Sequence, residues 1–455
     1  MFDAGSKTST GYSLNDILAK GTISLILLIN MVLSWRMGES GLCGDIQQFY
    51  NTILLHQDHW KYQKILIKPD LDPYAATILA VIITLIYGVR PVGNMCEEVI
   101  KLLAEQIVEK YPEVAKMLLK KRYVDDLGNS TRCKELTDKL IKETTEVLAS
   151  IQMYVKGWAQ SGSDPPEELS DDGISVGFAG MTWFPKMDVY KLNIQSLHFS
   201  KKKRGKYPSD LVKYEDSFGM TIDDYTPKKL TRTNCTSVLA RMYDPQGLLA
   251  PLTLKMKNDL RRLIEIDPSW TNPMSENMRS IWIKNFRTVE DVRDFLYIRC
   301  SIPPNAIDCH CRILLLCDAA DMGIVIAAYI CYEMPGNKWT CDLLFAKGLL
   351  VHENLSIPLK ELQALFILAI VFLLLKNAIG DWVRTWFAGS DSEICISWVC
   401  YERVKLTTFI RNRVTTIRSN IDLDILYHVN GKQNPTDTGT RPDQVSLNSI
   451  KPGST

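Results

Sequence analysis

Two sets of carboxylates stand where they could do metal chemistry. In the stretch Tyr123-Val124-Asp125-Asp126-Leu127-Gly128-Asn129, two adjacent acids follow an apolar pair and precede turn-forming residues. Like charges side by side repel, and a divalent cation with its preference for hard oxygen ligands removes that repulsion at a tight strand-turn-strand. The ordinary alternative is a solvated turn, in which Asp and Asn are common. The second set is Asp318, Glu361, Asp391 and Asp437: one acid ends an apolar strand pattern, one begins a long apolar helix pattern, and two follow later strands. Strand ends and a helix start can face one crevice at a sheet edge, so four acids distant in sequence can gather around two cations. Such a site suits phosphodiester hydrolysis, one ion activating water and the other stabilising a leaving 3′ oxygen. Taken singly, Glu361 also suits a helix N-terminus, and Asp391 suits a cap before Ser392.

The elements that must position these acids can be read from periodicity. In the N-terminal part an apolar helix over residues 23–36 leads to a β-rich run, GLCGDIQQFYNTILL, that carries Asp45, and TILAVIITLIYG reads as a second strand. Helical spacing then runs from Cys96 to Leu119 with a break at Tyr111-Pro112, followed by the hairpin of Asp125 and Asp126 and an amphipathic helix over residues 134–151. The order predicts a sheet with helices on one face. A Ser/Gly/Asp/Pro-rich loop over 161–172 precedes two short strands joined at Met187-Asp188. Asp244-Pro245 opens a turn into a helix, and Pro303-Pro304 marks a boundary. The pattern then restarts: three strands in meander, a helix over 359–377, a strand, further helix and a last strand, LDILYHV.

Composition narrows the class. A chain of 455 residues that is 46% hydrophobic and 23% charged can bury large cores and divide into several domains. Fifty-three basic residues oppose 52 acidic ones, so any polyanion must be met by a local surface. Lys201, Lys202, Lys203, Arg204 and Lys206 form the densest basic run, and Lys255, Lys257, Arg261 and Arg262 the next. Twelve cysteines without a C-x-x-C pair argue against a zinc ribbon and fit reduced thiols within a cell, and Cys309-His310-Cys311 is too crowded to chelate one tetrahedral ion. The apolar runs 23–33 and 364–375 fall short of the roughly 20 residues that span a bilayer, so no membrane partner is expected.

Taken together, FDAGSKTSTGYSLNDILAKG, DIQQFY, LIYGVRPVGN, YVDD, YDPQGLLAPLTLKMK, CDAADMG, PLKELQAL, GSDSEICISW, FIRNRVTTIR and NPTDTGTRP resemble the reverse transcriptases of BEL/Pao-type LTR retrotransposons with their ribonuclease H domain. The motifs extend over nearly the whole chain. The resemblance implies an α+β and α/β multidomain fold: partial fingers and a right-hand polymerase palm over 1–160, palm-end strands resembling a primer grip and a thumb-like basic region over 161–235, a connecting helical region over 236–305, a ribonuclease H-like mixed-sheet domain over 306–445, and a tail over 446–455. It implies RNA-directed DNA polymerase and ribonuclease H activities, each with two Mg²⁺ ions, or Mn²⁺, per site. Asp45, Asp125 and Asp126 would be the polymerase acids and metal ligands. Tyr50 would exclude a ribose 2′ hydroxyl, with a core tyrosine as its alternative, while Gly88 and Arg90 would lie near the nucleotide. Asp318, Glu361, Asp391 and Asp437 would be the ribonuclease H metal ligands. The implied partners are an RNA template, a DNA primer, an RNA–DNA hybrid, dNTPs and other parts of a pol polyprotein, in a cytoplasmic particle or the nucleus.

The chain opens at MFDAG, whereas family members carry upstream fingers residues that clamp the triphosphate. The expectation is therefore an N-terminally truncated polymerase that extends primers poorly by itself. The loop between His428 and Asp437 shows no counterpart of the mobile histidine of some ribonucleases H, which predicts slower turnover. The competing expectation is a polymerase-inactive remnant, or a domesticated nucleic-acid-binding protein, that keeps the fold.

Overall fold

The computed structural model describes residues 3–21, 26–68, 72–194, 197, 199, 221–401 and 405–441. The basic run at 201–206 lies outside them. The chain divides into two compact units, Met1–Ala179 and Gly180–Thr455; the boundaries expected at 236 and 306 fall within the second.

The first unit contains helix α1 (Leu28–Met37) and strands β1 (Ser40–Ile46), β2 (Lys64–Ile67) and β3 (Ile78–Val81). Helices α2 (Val92–Ile107) and α3 (Pro112–Lys120) follow, then β4 (Arg122–Tyr123), β5 (Asp126–Thr131), α4 (Lys134–Ser150) and β6 (Val155–Gln160). Pro112 at the first turn of α3 costs no intrahelical hydrogen bond there, so the break expected at Tyr111-Pro112 is a helix start. The sheet order is β4-β5-β1-β6, with antiparallel neighbours. Leu42, Ile46 and Leu127 turn into a core shared with Ile100, Leu118 and Leu148 of α2, α3 and α4. α1 packs on β5 from the other side, and on that side a Cβ at Gly128 would meet the Phe178 ring at 2.2 Å and Met31 of α1 at 3.0 Å, so only glycine admits Phe178 this close.

Two expectations need correction here. Helices cover both faces of the sheet. TILAVIITLIYG is not one of its strands: only Ile78–Val81 is extended, and it pairs with β2 in a separate two-stranded sheet. The place beside β1 belongs to β6, because β-branched composition favours a strand without naming its partner. The Asp45 run likewise leaves the sheet at Ile46 and continues as a 3₁₀ turn over Phe49–Thr52.

In the second unit, β7 (Met181–Phe184) and β8 (Val189–Leu192) form the expected hairpin, with Asp188 at φ +54° in its turn. Helices α5 (Arg232–Ala240), α6 (Ala250–Ile266) and α7 (Glu276–Arg293) lead to β9 (Tyr297–Ile298), which pairs with β8. Then come β10 (Cys311–Ala319), β11 (Ile324–Met334), β12 (Lys338–Leu349), α8 (Ile357–Ile379), β13 (Val383–Ser390), α9 (Glu393–Cys400), α10 (Thr408–Asn420), β14 (Leu426–His428) and α11 (Thr436–Thr440). The sheet order is β12-β11-β10-β13-β14: the meander is antiparallel, while β13 runs parallel to β10 and β14 parallel to β13. α8 packs on β10 and β11, and α6 and α11 also pack on this sheet, so β10 and β11 are buried at nearly every position.

α8 is longer than the apolar run suggested. With the turn after it, it extends over residues 357–382 and is long and apolar enough to cross a bilayer, yet half of it is buried within the protein, against β10, β11 and α10. Cys331 and Cys341, directly opposite in the β11–β12 ladder, are joined in a disulfide, which corrects the reading of uniformly reduced thiols. Cross-strand neighbours meet through register, which cysteine spacing does not reveal.

Candidate functional site

Parallel pairing of β10 and β13 places Cys317 beside Ser390. The next residues of each strand, Asp318 and Asp391, therefore emerge together at one sheet edge. α8 begins at Ile357 after Pro358 has fixed its first turn, and it brings Glu361 to the same edge. Lys360 anchors that turn by donating to Asp321 Oδ1 at 2.8 Å. Carboxylate oxygens of Asp318, Glu361 and Asp391 all lie within 4.8 Å of one another. Asp437, in α11, lines the same cleft of about 860 Å³ but stands apart from that trio, with its Oδ1 accepting from Arg441 Nε and Nη2 at 2.7 Å each.

Crowded, half-dry carboxylates resist ionisation. Burial and then the charges of Asp318 and Asp391 push Glu361 up to about 8. Burial is also the first cause of the upward shifts of Asp318 and Asp391. Glu361 Oε2 and Asp391 Oδ1 are buried without a hydrogen-bond partner. Two orphaned carboxyl oxygens in an all-oxygen donor set fit a hard divalent cation, which would supply the missing partner and offset the cost of ionisation.

Sequence reasoning passed over the residues that brace this set. Buried Thr440 donates its hydroxyl to Asp318 Oδ2. Buried Asn434 donates from Nδ2 to the Cys317 carbonyl at 3.0 Å and, just before α11, accepts on Oδ1 from Thr436 N at 3.3 Å. Both lie in the NPTDTGTRP motif that revealed Asp437, and their short polar side chains around a Pro were the available signal. A histidine does stand at the site: His428 Nε2 is 3.2 Å from the Asp391 carbonyl oxygen, presented by the end of β14 rather than by the loop that follows.

The first unit arranges its acids differently. Antiparallel pairing sets Asp45 directly opposite Asp126, and Ile46 N donates to the Asp125 carbonyl at 3.0 Å. Val124 sits at φ +56°, a strained conformation for a β-branched residue. The buried Arg122 guanidinium holds it there, donating to the Val124 carbonyl at 2.5 Å and to both oxygens of buried Glu97 on α2 at 3.1 and 2.6 Å. Burial, followed by the charges of Asp125 and Asp45, pushes Asp126 up to about 7. Asp45 is raised by burial and by Asp125, against the pull of Lys156. These three acids do not bring their oxygens within 4.8 Å of one another.

Tyr50 packs partly buried against the α2–α4 core, and burial and the charge of Asp125, among other groups, raise its phenol. It thus stands between the core and the acids. Gly88 takes φ +89°, open to glycine, and its carbonyl accepts from Asn15 Nδ2 at 2.9 Å. The exposed Arg90 is held by the same Asn15, whose carbonyl accepts from Nη1 at 3.0 Å.

Residues 231–392 match the family described as the Pao retrotransposon-like RNaseH-like domain. No curated protein matches the chain. Among solved structures, the foamy viral protease-reverse transcriptase in complex with an RNA/DNA hybrid is similar at 12% identity and a TM-score of 0.50, over 89% of this chain and 45% of that one. The foamy viral protease-reverse transcriptase dRH in complex with double-stranded DNA is similar at 11% identity and a TM-score of 0.51, over 92% of this chain and 62% of that one. The chain thus spans about half the length of these relatives, and at such identities the likeness is one of fold. Residues 231–392 thus match a Pao retrotransposon-like RNaseH-like domain, and the chain as a whole has a mixed α/β fold similar to that of the foamy viral protease-reverse transcriptase.

Proposed function

We propose that the second unit hydrolyses the RNA strand of RNA–DNA hybrids with Mg²⁺, and that the first unit carries the acids for RNA-directed DNA synthesis. The observation that carries the hydrolytic reading is the approach of Asp318, Glu361 and Asp391 within 4.8 Å, with buried oxygens lacking partners. Asp318, Glu361, Asp391 and Asp437 would be the residues that hold Mg²⁺, whose Lewis acidity would supply activation of a water and compensation of charge on the departing 3′ oxygen. The chain's own groups do the rest. Thr440 and Asn434 fix the β10 edge, Lys360 fixes the start of α8, and Arg441 holds Asp437 toward the cleft. A 2′ hydroxyl and the wide minor groove of the hybrid distinguish RNA from DNA.

The experiment is incubation of the chain with an end-labelled hybrid and Mg²⁺. Cutting above an Asp318→Asn control supports the reading, and equal cutting by both removes it. Binding without cutting by either would favour the alternative of a nucleic-acid-binding protein that keeps the fold.

The polymerase reading rests on Asp45 facing Asp126 across β1 and β5, beside Asp125 and half-buried Tyr50. Its partners would be dNTPs, an RNA template and a DNA primer, with Gly88 and Arg90 near the nucleotide and Tyr50 excluding ribose. Other pol segments in a cytoplasmic particle, or in the nucleus, complete this proposal. Extension of oligo(dT) on poly(rA) tests it: little product is expected from the chain alone, and extension abolished by Asp45→Asn would establish a working site.

A further inference from the structure

Basic residues share the cleft of the four acids. α6 packs on α11 and the sheet, and its Arg261 and Arg262 line the same cleft as the four acids. Of the four cations in its basic run, three are committed inside the protein. Lys255 donates to Asp259 Oδ2 at 3.0 Å and to Asn285 Oδ1 at 2.5 Å. Lys257, half-buried, donates to the Gly348 carbonyl at 3.2 Å. Arg261 donates to Glu353 Oε1 at 3.1 Å and to the Val351 carbonyl at 3.0 Å. Arg262 differs: its side chain is 57% exposed and approaches Asp259 Oδ1 only at 4.0 Å, a carboxylate that Lys255 and Asn285 already hold.

A polyanion entering this cleft meets Glu265 as well as the four acids. Cations held by the acids would compensate charge at the bond being cut, while the neighbouring phosphates of the same strand would still face repulsion. A guanidinium matches a phosphate with paired N–H donors and keeps its charge at any working pH. Arg441 offers the same group but already neutralises Asp437.

We propose that Arg262 seats a backbone phosphate next to the scissile bond, so that a helix outside the sheet supplies the substrate contact that the acidic edge cannot. This assignment rests on the hydrolytic reading above. Binding of a fluorescein-labelled 20-base-pair RNA–DNA hybrid to the full chain carrying Asp318→Asn, followed by anisotropy across a salt series, isolates the contact from cleavage. Adding Arg262→Gln is expected to weaken binding about tenfold at ~0.1 M salt and to reduce the slope of log K against log salt by about 0.9. Arg262→Lys should retain the slope with part of the affinity, which a merely folded-state defect would not do. Arg411→Gln, at an exposed position of α10 that does not line the cleft, is the neutral control. A slope and affinity for Arg262→Gln equal to the parent's overturn the assignment. That failure is separable from failure of the hydrolytic reading, which shows instead as a wild-type chain that cuts no more than Asp318→Asn.

Discussion

The two acid sets are built by opposite strategies. In the second unit, a parallel strand pair and a helix start bring three carboxylates from remote segments into mutual contact distance, leaving buried oxygens without partners. In the first, one antiparallel pair and its hairpin supply all three acids, and they remain further apart. The arrangement in the second unit fixes its geometry through the fold of a whole sheet and leaves an oxygen set that fits a cation. The arrangement in the first unit fixes the direction of its acids through a strained turn, held from behind by a buried ion pair, and leaves the closing of the site to what binds there.

The largest expected effect separates the two sites. Asp318→Asn should lower hybrid cleavage on the order of 10³-fold or more, since several kcal/mol of charge stabilisation disappear, while Asp45→Asn leaves it unchanged. Comparable losses in both variants would dissolve the distinction. Next comes the brace behind the hairpin. Glu97→Ala strands a buried guanidinium and should cost about 3–5 kcal/mol of stability, read by urea unfolding followed in the first unit; a change below about 1 kcal/mol would show that Arg122 does not need its partner.

A smaller effect probes the shell of the second site. Asn434→Ala or Thr440→Val should weaken Mn²⁺ binding about 10–100-fold, measured by isothermal titration in an Asp45→Asn background; unaltered affinity would mean that these side chains do not orient the acids. A further effect is a pH slope. Glu361 keeps its proton up to about 8 in the folded chain against an ordinary 4.5, so the folded state binds protons that the unfolded state has lost between those values. Stability without metal should therefore fall as pH rises from about 4.5 to 8. Glu361→Gln should flatten part of that fall in thermal unfolding, and Mg²⁺ should reverse it in wild type alone; a wild-type curve that rises across the window would contradict the crowding of these acids.

Much of this was legible because it is local. The hairpin of Asp125 and Asp126, the strand ending at Asp318 and the apolar helix after Glu361 each announce themselves by periodicity and turn residues. What escaped was pairing at a distance. Nothing near Val155 says that β6 borders β1, nothing in α1 says that it covers the second face, and the Cys331–Cys341 link depends on the register of two strands. The same limit applied at the site: Asp437 was visible from its motif, whereas Thr440 and Arg262 gained meaning only once α11 and α6 lay against the sheet.

The most direct test is the chemistry of the cut ends. The chain should be given a hybrid with a labelled RNA strand in Mg²⁺, beside Asp318→Asn, and the product termini identified by mass spectrometry. RNA fragments ending in 3′ hydroxyls and beginning in 5′ phosphates, formed by the wild type and not by the variant, are the result expected when those acids support attack by water on the phosphodiester. Intact RNA, or the same fragments from Asp318→Asn, would contradict it.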